Sequence, residues 1–299
     1  LLMNAAAGGK VTKEFDMINP LKENERIEQA KSVLYIEEIT AKDNWLVIKT
    51  SKEAFTIIKD DNEGGITFVD ADNMPIESDF NGLTYKLKDN TYAGYEINVY
   101  KDNYYDMKIY DYTIRLKYEN GFKGVTTAGQ TIKIENAEQL SILKGREAFG
   151  SGRGFIWSRS VPMIKQTIIK GHGPDTFAIY FPQWDIAGKI NGFREPNRVV
   201  DTPHNMYLQI AIDTGLISLI AFLLFLCIYV YNSIKNYIVS DRKEELVLNS
   251  AVFCAVISYC VAGLFNDSVV SVAPVFWVLL GLGIAQNKII KISFVQINR

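Results

Sequence analysis

Two patterns of apolar and polar residues divide the chain. From Ser32 to Glu135 the pattern alternates, in short runs rich in β-branched and aromatic residues. Val33–Ile39, Trp45–Lys49, Ala54–Ile58, Ile66–Val69, Leu83–Leu87, Tyr95–Tyr100, Met107–Tyr118 and Thr131–Ile134 read as strands. Turn signals separate them: Asp43-Asn44, Glu63-Gly-Gly65 and Asn120-Gly121. So many strands in so short a stretch predict a sandwich or small barrel. A short helix is expected before it, over Pro20–Ala30. The far end of the chain reads differently. Thr214–Ile234, Leu246–Asn266 and Ser268–Asn287 hold no formal charge over 20 or 21 residues each. A helix crossing a membrane core needs about 20 apolar residues. Three transmembrane helices are therefore expected, at about 212–234, 246–266 and 268–288.

Charge sharpens this division. The chain has 299 residues, net charge −2 and mean hydropathy +0.01, averages that suit a soluble protein. They exclude a disordered or collagen-like chain and a strongly basic nucleic-acid binder. Region by region, the net is −6 over residues 1–150, +3 over 151–204 and +1 over 205–299. The whole-chain value is a cancellation between an acidic strand module, a short basic segment and a nearly uncharged anchor. The loop 235–245 carries Lys235, Arg242 and Lys243, and the tail carries Lys288, Lys291 and Arg299. The turn at Asn266-Asp-Ser268 carries no basic residue. Basic loops stay in the cytoplasm, so residues 1–210 are expected outside.

All three cysteines, Cys227, Cys254 and Cys260, fall in the first two expected spans. No disulfide or Cys–His metal spacing is available to the outer region. No metal ligands and no cofactor are expected. The chain opens Leu1-Leu-Met-Asn4 without a signal peptide. An outward-facing module then implies the C-terminal piece of a longer protein. The expected organisation is a linker and short helix (1–31), a β-rich extracytoplasmic insertion (32–140), an extracytoplasmic loop region (141–210) and three spans (211–299). The fold class is thus mixed: a β-rich module, an α-helical loop region and membrane helices.

The chemistry-bearing stretch is 150–215. It holds Arg153 and Trp157, a Gly171-x-Gly173-x-x-x-Phe177 turn, and the box Pro203-His-Asn-x-Tyr-Leu-Gln209, followed by Gly215-Leu216. Further on come Gly263-Leu-Phe265 and Pro274-x-Phe-Trp-x-Leu-x-Gly281. In order, spacing and position at an outer membrane face, these elements resemble the O-antigen ligase/polymerase family of bacterial membrane glycosyltransferases. The resemblance covers about residues 145–285.

The resemblance implies a glycan donor linked to a polyprenyl diphosphate. It implies a lipid or glycan acceptor hydroxyl, a seat in the bacterial inner membrane, and inverting transfer without a metal. It makes Arg153 the arginine that binds the diphosphate, a task suited to a permanently charged, bidentate guanidinium. It makes His204 the general base, for which imidazole is suited near neutral pH. Trp157, Asn205, Tyr207, Gln209 and Arg198 are expected to bind or position the substrate around them. Asp201 is balanced between orienting the imidazole and capping a helix. His172 and Asp267 read as turn residues, and Arg159, Arg194 and Arg198 taken singly as surface charges. Asp70-Ala-Asp72 has the spacing of a metal motif but lies in the acidic module, where a turn explains it.

Two departures stand out. The family's catalytic fold has roughly a dozen spans, and its second phosphate-binding arginine lies in earlier ones, so the chain alone should be inactive. The β-rich module is not part of the family's common core. Nine of the 16 tyrosines lie between Tyr85 and Tyr118, which suits either a sugar-stacking face or plain strand alternation. The alternative to an enzyme is a tethered extracytoplasmic carbohydrate-recognition or sensor module without catalysis.

Overall fold

The computed structural model describes residues 34–60, 65–239 and 243–297, together with Thr12. The expected linker and the helix at Pro20–Ala30 lie outside the described residues. The chain divides into two units, one of 1–162 with 182–200, the other of 163–181 with 201–299.

In the first unit, alternation becomes two antiparallel sheets. One is the meander β1 (Ile36–Lys42), β2 (Trp45–Thr50), β3 (Ala54–Lys59) and β4 (Ile66–Asp70). The other runs from β5 (Ser78–Phe80) and β6 (Thr84–Leu87) through β7 (Tyr95–Val99), β8 (Tyr104–Ile109) and β9 (Tyr112–Tyr118) to β10 (Phe122–Val125) and β11 (Thr131–Ile132). Each strand pairs with its neighbour in sequence. Their inward residues, among them Ile39, Leu46, Phe55, Tyr95 and Met107, form one buried core. The Phe55 and Tyr95 rings meet edge to face at 4.7 Å. The module is a sandwich rather than a barrel.

The expected single strand Met107–Tyr118 is in fact a hairpin. Ile109 pairs with Tyr112 across a tight turn, where Tyr110 takes φ 51°. No glycine or asparagine marks that turn, so the alternation reads as unbroken. After the sheets come α1 (Phe149–Met163), α2 (Phe177–Tyr180) and α3 (Ile186–Phe193). Helix α1 stops at Met163, one residue after Pro162, with a short 3₁₀ turn beyond. Ile186, Ala187 and Ile190 of α3 complete the sandwich core.

The second unit contains α2 and α4 (Met206–Asp213), then α5 (Leu216–Val239), α6 (Lys243–Ala262) and α7 (Ala273–Ile297). Two helices are long and apolar enough to cross a membrane: α5, and α7 over Ala273–Ile292. Little of either is buried, 17% and 28%, whereas the core helix of a soluble protein is mostly covered. The apolar part of α6, Leu246–Ala262, is shorter than expected. It ends at Ala262 because Gly263-Leu-Phe265 turns aside to meet the His204 box. Leu226, Tyr229, Val256, Phe276 and Leu280 pack the three helices together. A buried amide cluster adds polar ties: Asn287 donates to Ser233 at 2.8 Å and accepts from Asn236 and Asn249 at 3.0 and 3.2 Å.

Candidate functional site

The predicted residues fall into two groups. His204, Asn205, Tyr207 and Gln209 belong to the second unit; Arg153, Trp157 and Arg198 belong to the first.

The His204 group is built at the start of α4. Asn205 is the N-cap, its side-chain oxygen accepting from the Tyr207 and Leu208 amides at 3.0 and 2.9 Å. Its own amide group donates to the Leu264 carbonyl at 2.8 Å. The Met206 amide donates to Gly263 and the Tyr207 hydroxyl to Cys260, each at 2.8 Å. Gln209 accepts from the Ser268 amide, also at 2.8 Å. Asn205, Met206, Tyr207 and Gln209 of the box are thus all spent on docking against 260–268. Gly263 packs closely on Met206: a Cβ there would sit 2.8 Å from the end of its side chain and 3.1 Å from its Cβ.

The docking delivers Asp267 to the histidine. Its Oδ2 lies 3.1 Å from His204 Nδ1, and its Oδ1 accepts the Asn205 amide at 3.2 Å. Asp267 is 11% exposed and His204 38%. A carboxylate only accepts, so Nδ1 carries a proton, and in the neutral imidazole Nε2 then holds the free lone pair. His204 itself sits at φ 47°, a left-handed conformation held by the cap and the carboxylate. Neither role weighed for Asp201 falls to it, because Asp267 orients the imidazole and Asn205 caps the helix. The solvated-turn reading of Asp267 is corrected.

The Gly171–Gly173 turn packs nearby in the chain. Its amides at His172 and Gly173 donate to Ile212 and Asp213 carbonyls at 2.9 Å. A Cβ on Gly171 would lie 2.2 Å from the Asp213 backbone, so only glycine fits. His172 stacks on Tyr180 at 3.7 Å, as a turn residue with a packing partner. Burial, then the charges of Asp175 and Asp267, push the Asp213 carboxyl up to about 6. Burial pushes the Tyr207 hydroxyl up to about 12.

In the first unit, Arg153 stands where α1 becomes regular. Gly150, Ser151 and Gly152 before it all have positive φ, a left-handed turn costly for the serine. Arg153 Nη1 donates to the Gly150 carbonyl at 2.9 Å. Trp157 lies one turn on, on the same helix face, edge to face with Phe149. Arg198 is exposed, its guanidinium 4.5 Å over the Phe193 ring.

Arg159 is not a surface charge. It is 5% exposed and reaches Asp185 at 2.8 Å and Gln139 at 2.9 Å, with Glu147 at 3.7 Å. Tyr35 donates to Glu147 at 2.9 Å, and Asp185 also caps α3 through the Gly188 amide. The network is structural glue between β1, α1 and α3. Beside it, burial pulls the Lys189 ammonium down to about 8, against the opposing pull of Asp185. Among the described residues no group of three or more His, Cys, Asp or Glu is arranged to hold a metal ion.

The structure thus holds a β-rich module, two helices long and apolar enough to cross a membrane, and a His–Asp pair at a helix start. Residues 115–223 match the family model described as O-Antigen ligase, which supports the resemblance to the O-antigen ligase/polymerase family. That family is one of the inner membrane, with glycan and lipid-linked substrates. The matched stretch begins within β9, takes in β10, β11, Arg153, Arg198 and His204, and ends within α5. Neither the curated proteins nor the solved structures gave a match.

Proposed function

We propose that the protein is a glycosyltransferase moving a glycan from a polyprenyl-diphosphate donor to an acceptor hydroxyl in surface-polysaccharide assembly. The observation that carries the reading is the His204–Asp267 contact at 3.1 Å, which commits Nδ1 and leaves Nε2 as the base. His204 Nε2 takes the proton as the acceptor oxygen attacks the anomeric carbon. The bond from that carbon to the phosphate oxygen breaks, and the diphosphate leaves with the electron pair. Attack opposite the leaving group inverts the anomeric centre. Arg153 holds the diphosphate and stabilises its growing charge, with Arg198 adding positive potential. Trp157 shapes the Arg153 face, while Asn205, Tyr207 and Gln209 keep the His204 loop in place. Fixed positive charge does the work that a metal does elsewhere. Residues 32–140, 141–210 and 211–299 serve as outer module, catalytic loop region and membrane helices, with residues up to 210 outside the inner membrane.

In the full-length protein, His204→Ala and Arg153→Ala should each abolish glycan transfer while leaving the protein in the membrane at normal amount. Wild-type surface glycan in either mutant would refute the assignment of that residue.

A further inference from the structure

The strand module has an outer face as well as a core. On β8 and β9 the residues between the buried ones point away from the core: Tyr104 pairs with Lys117, and Asp106 with Arg115. Arg115 Nε and Nη2 donate to the two Asp106 oxygens at 2.7 and 2.8 Å. The pair is bidentate, with Asp106 11% exposed and Arg115 56%. It therefore fixes a guanidinium that still reaches water, and Nη1 keeps its own donors. Beside it lies an open groove of about 640 Å³. Tyr100 and Tyr104 line one part, Thr113 another, and Asn197, from the loop after α3, a third. Tyr100 is 51% exposed, in contrast to Tyr92, Tyr95 and Tyr105, which the core consumes.

We infer that this groove binds an oligosaccharide segment of the glycan the protein handles. The choice of sugar rests on the glycan-transfer reading; the site rests on the groove. Its size lies within the roughly 300–1,000 Å³ usual for ligand clefts. Its chemistry suits sugars better than apolar ligands. Aromatic faces are electron-rich and attract the C–H faces of a pyranose ring. With both Asp106 oxygens taken by Arg115, the pair presents the remaining guanidinium donors, fixed in place, to a sugar hydroxyl. Thr113 and Asn197 add short polar groups that serve either role. Tyr100 and Tyr104 are thereby separated from the other tyrosines of the run, whose enrichment is strand packing.

The test uses the full-length protein in lipid nanodiscs. The probe is oligosaccharide released by mild acid from the surface polysaccharide of the producing cell. The wild type should bind it. Tyr100→Ala, which removes a half-exposed ring and leaves the core intact, should weaken binding about tenfold, as should Arg115→Ala. His204→Ala should bind like the wild type. In transfer assays Tyr100→Ala should raise KM and leave kcat unchanged. A rise for the lipid-linked donor marks donor glycan in the groove, and a rise for the acceptor marks acceptor glycan. Unaltered binding by both Tyr100→Ala and Tyr104→Ala, with unchanged near-ultraviolet circular dichroism, would overturn the inference. So would a folded wild type that binds no oligosaccharide. Transfer by His204→Ala would instead overturn the catalytic assignment and leave the groove standing.

Discussion

Asp267 determines which nitrogen of His204 can act. Replacing it by alanine frees the ring to adopt either tautomer and removes the acceptor for the Asn205 amide. We expect Asp267→Ala to lower kcat by about 10²-fold or more, with donor KM little changed. A kcat near wild type in single-turnover assays would remove Asp267 from the mechanism. His204 was legible in the sequence because its box is contiguous. Asp267 was not, because it lies 63 residues away and reaches the ring only through the turn after α6. Nothing in its local sequence separates a docked turn from a solvated one. Asp213 gives a test by pH. Its carboxyl is raised to about 6 in the folded protein, chiefly by burial. Folding therefore favours the protonated form. That stability is full below about pH 4, the unfolded value, and is lost as pH rises through about 6. A neutral amide mimics the protonated side chain, so Asp213→Asn should raise the melting temperature at pH 7 and make no difference near pH 4. An equal gap at both pH values would show that the carboxyl charge is not the cause.

Among elements, the strands were the most legible, since alternation with β-branched residues reports a half-buried sheet directly. Ile36–Lys42, Trp45–Thr50 and Ala54–Lys59 fall within a few residues of their expected runs. The short β5 and β10 went unread because Asp79 and Gly124, residues depleted in strands, break up their alternation. What joins the elements was also hidden. Arg159 looked like one more basic residue of a basic segment, yet it sits among Asp185, Glu147 and Gln139 in the interior. A buried charge is tolerated only with partners, and Asp185 and Glu147 come from sequence positions that no helix spacing links to it. Removing the arginine leaves two carboxylates, at 1% side-chain exposure each, without their counter-charge. Arg159→Ala should cost about 3–5 kcal/mol of stability. Chemical denaturation followed by tyrosine and tryptophan fluorescence checks this, and a loss within that of ordinary surface substitutions would contradict it.

At the scale of the whole molecule, the segregation of charge supports the proposed topology, which puts the acidic strand module and the basic loop segment outside and Lys235 and the basic residues beyond it inside. Helix α5 carries no charged residue from Leu216 to Ile234 and meets Lys235 one turn before its end. The bias of lysine and arginine toward the cytoplasmic face is the basis of the proposed direction, N-terminus outward. Cysteine chemistry can read this orientation, because the segments 34–60 and 65–200 contain no cysteine of their own. The three native thiols, Cys227, Cys254 and Cys260, all lie in α5 and α6 and can be replaced by serine or alanine to give a silent background. On that background Ala128→Cys, exposed in the turn before β11, should react with a membrane-impermeant maleimide in cells whose inner membrane is intact. Lys235→Cys should react only after that membrane is opened. The reverse pattern would put the strand module in the cytoplasm. His204 would then face the wrong compartment for an acceptor glycan assembled outside, and the proposed reaction would fall with the topology.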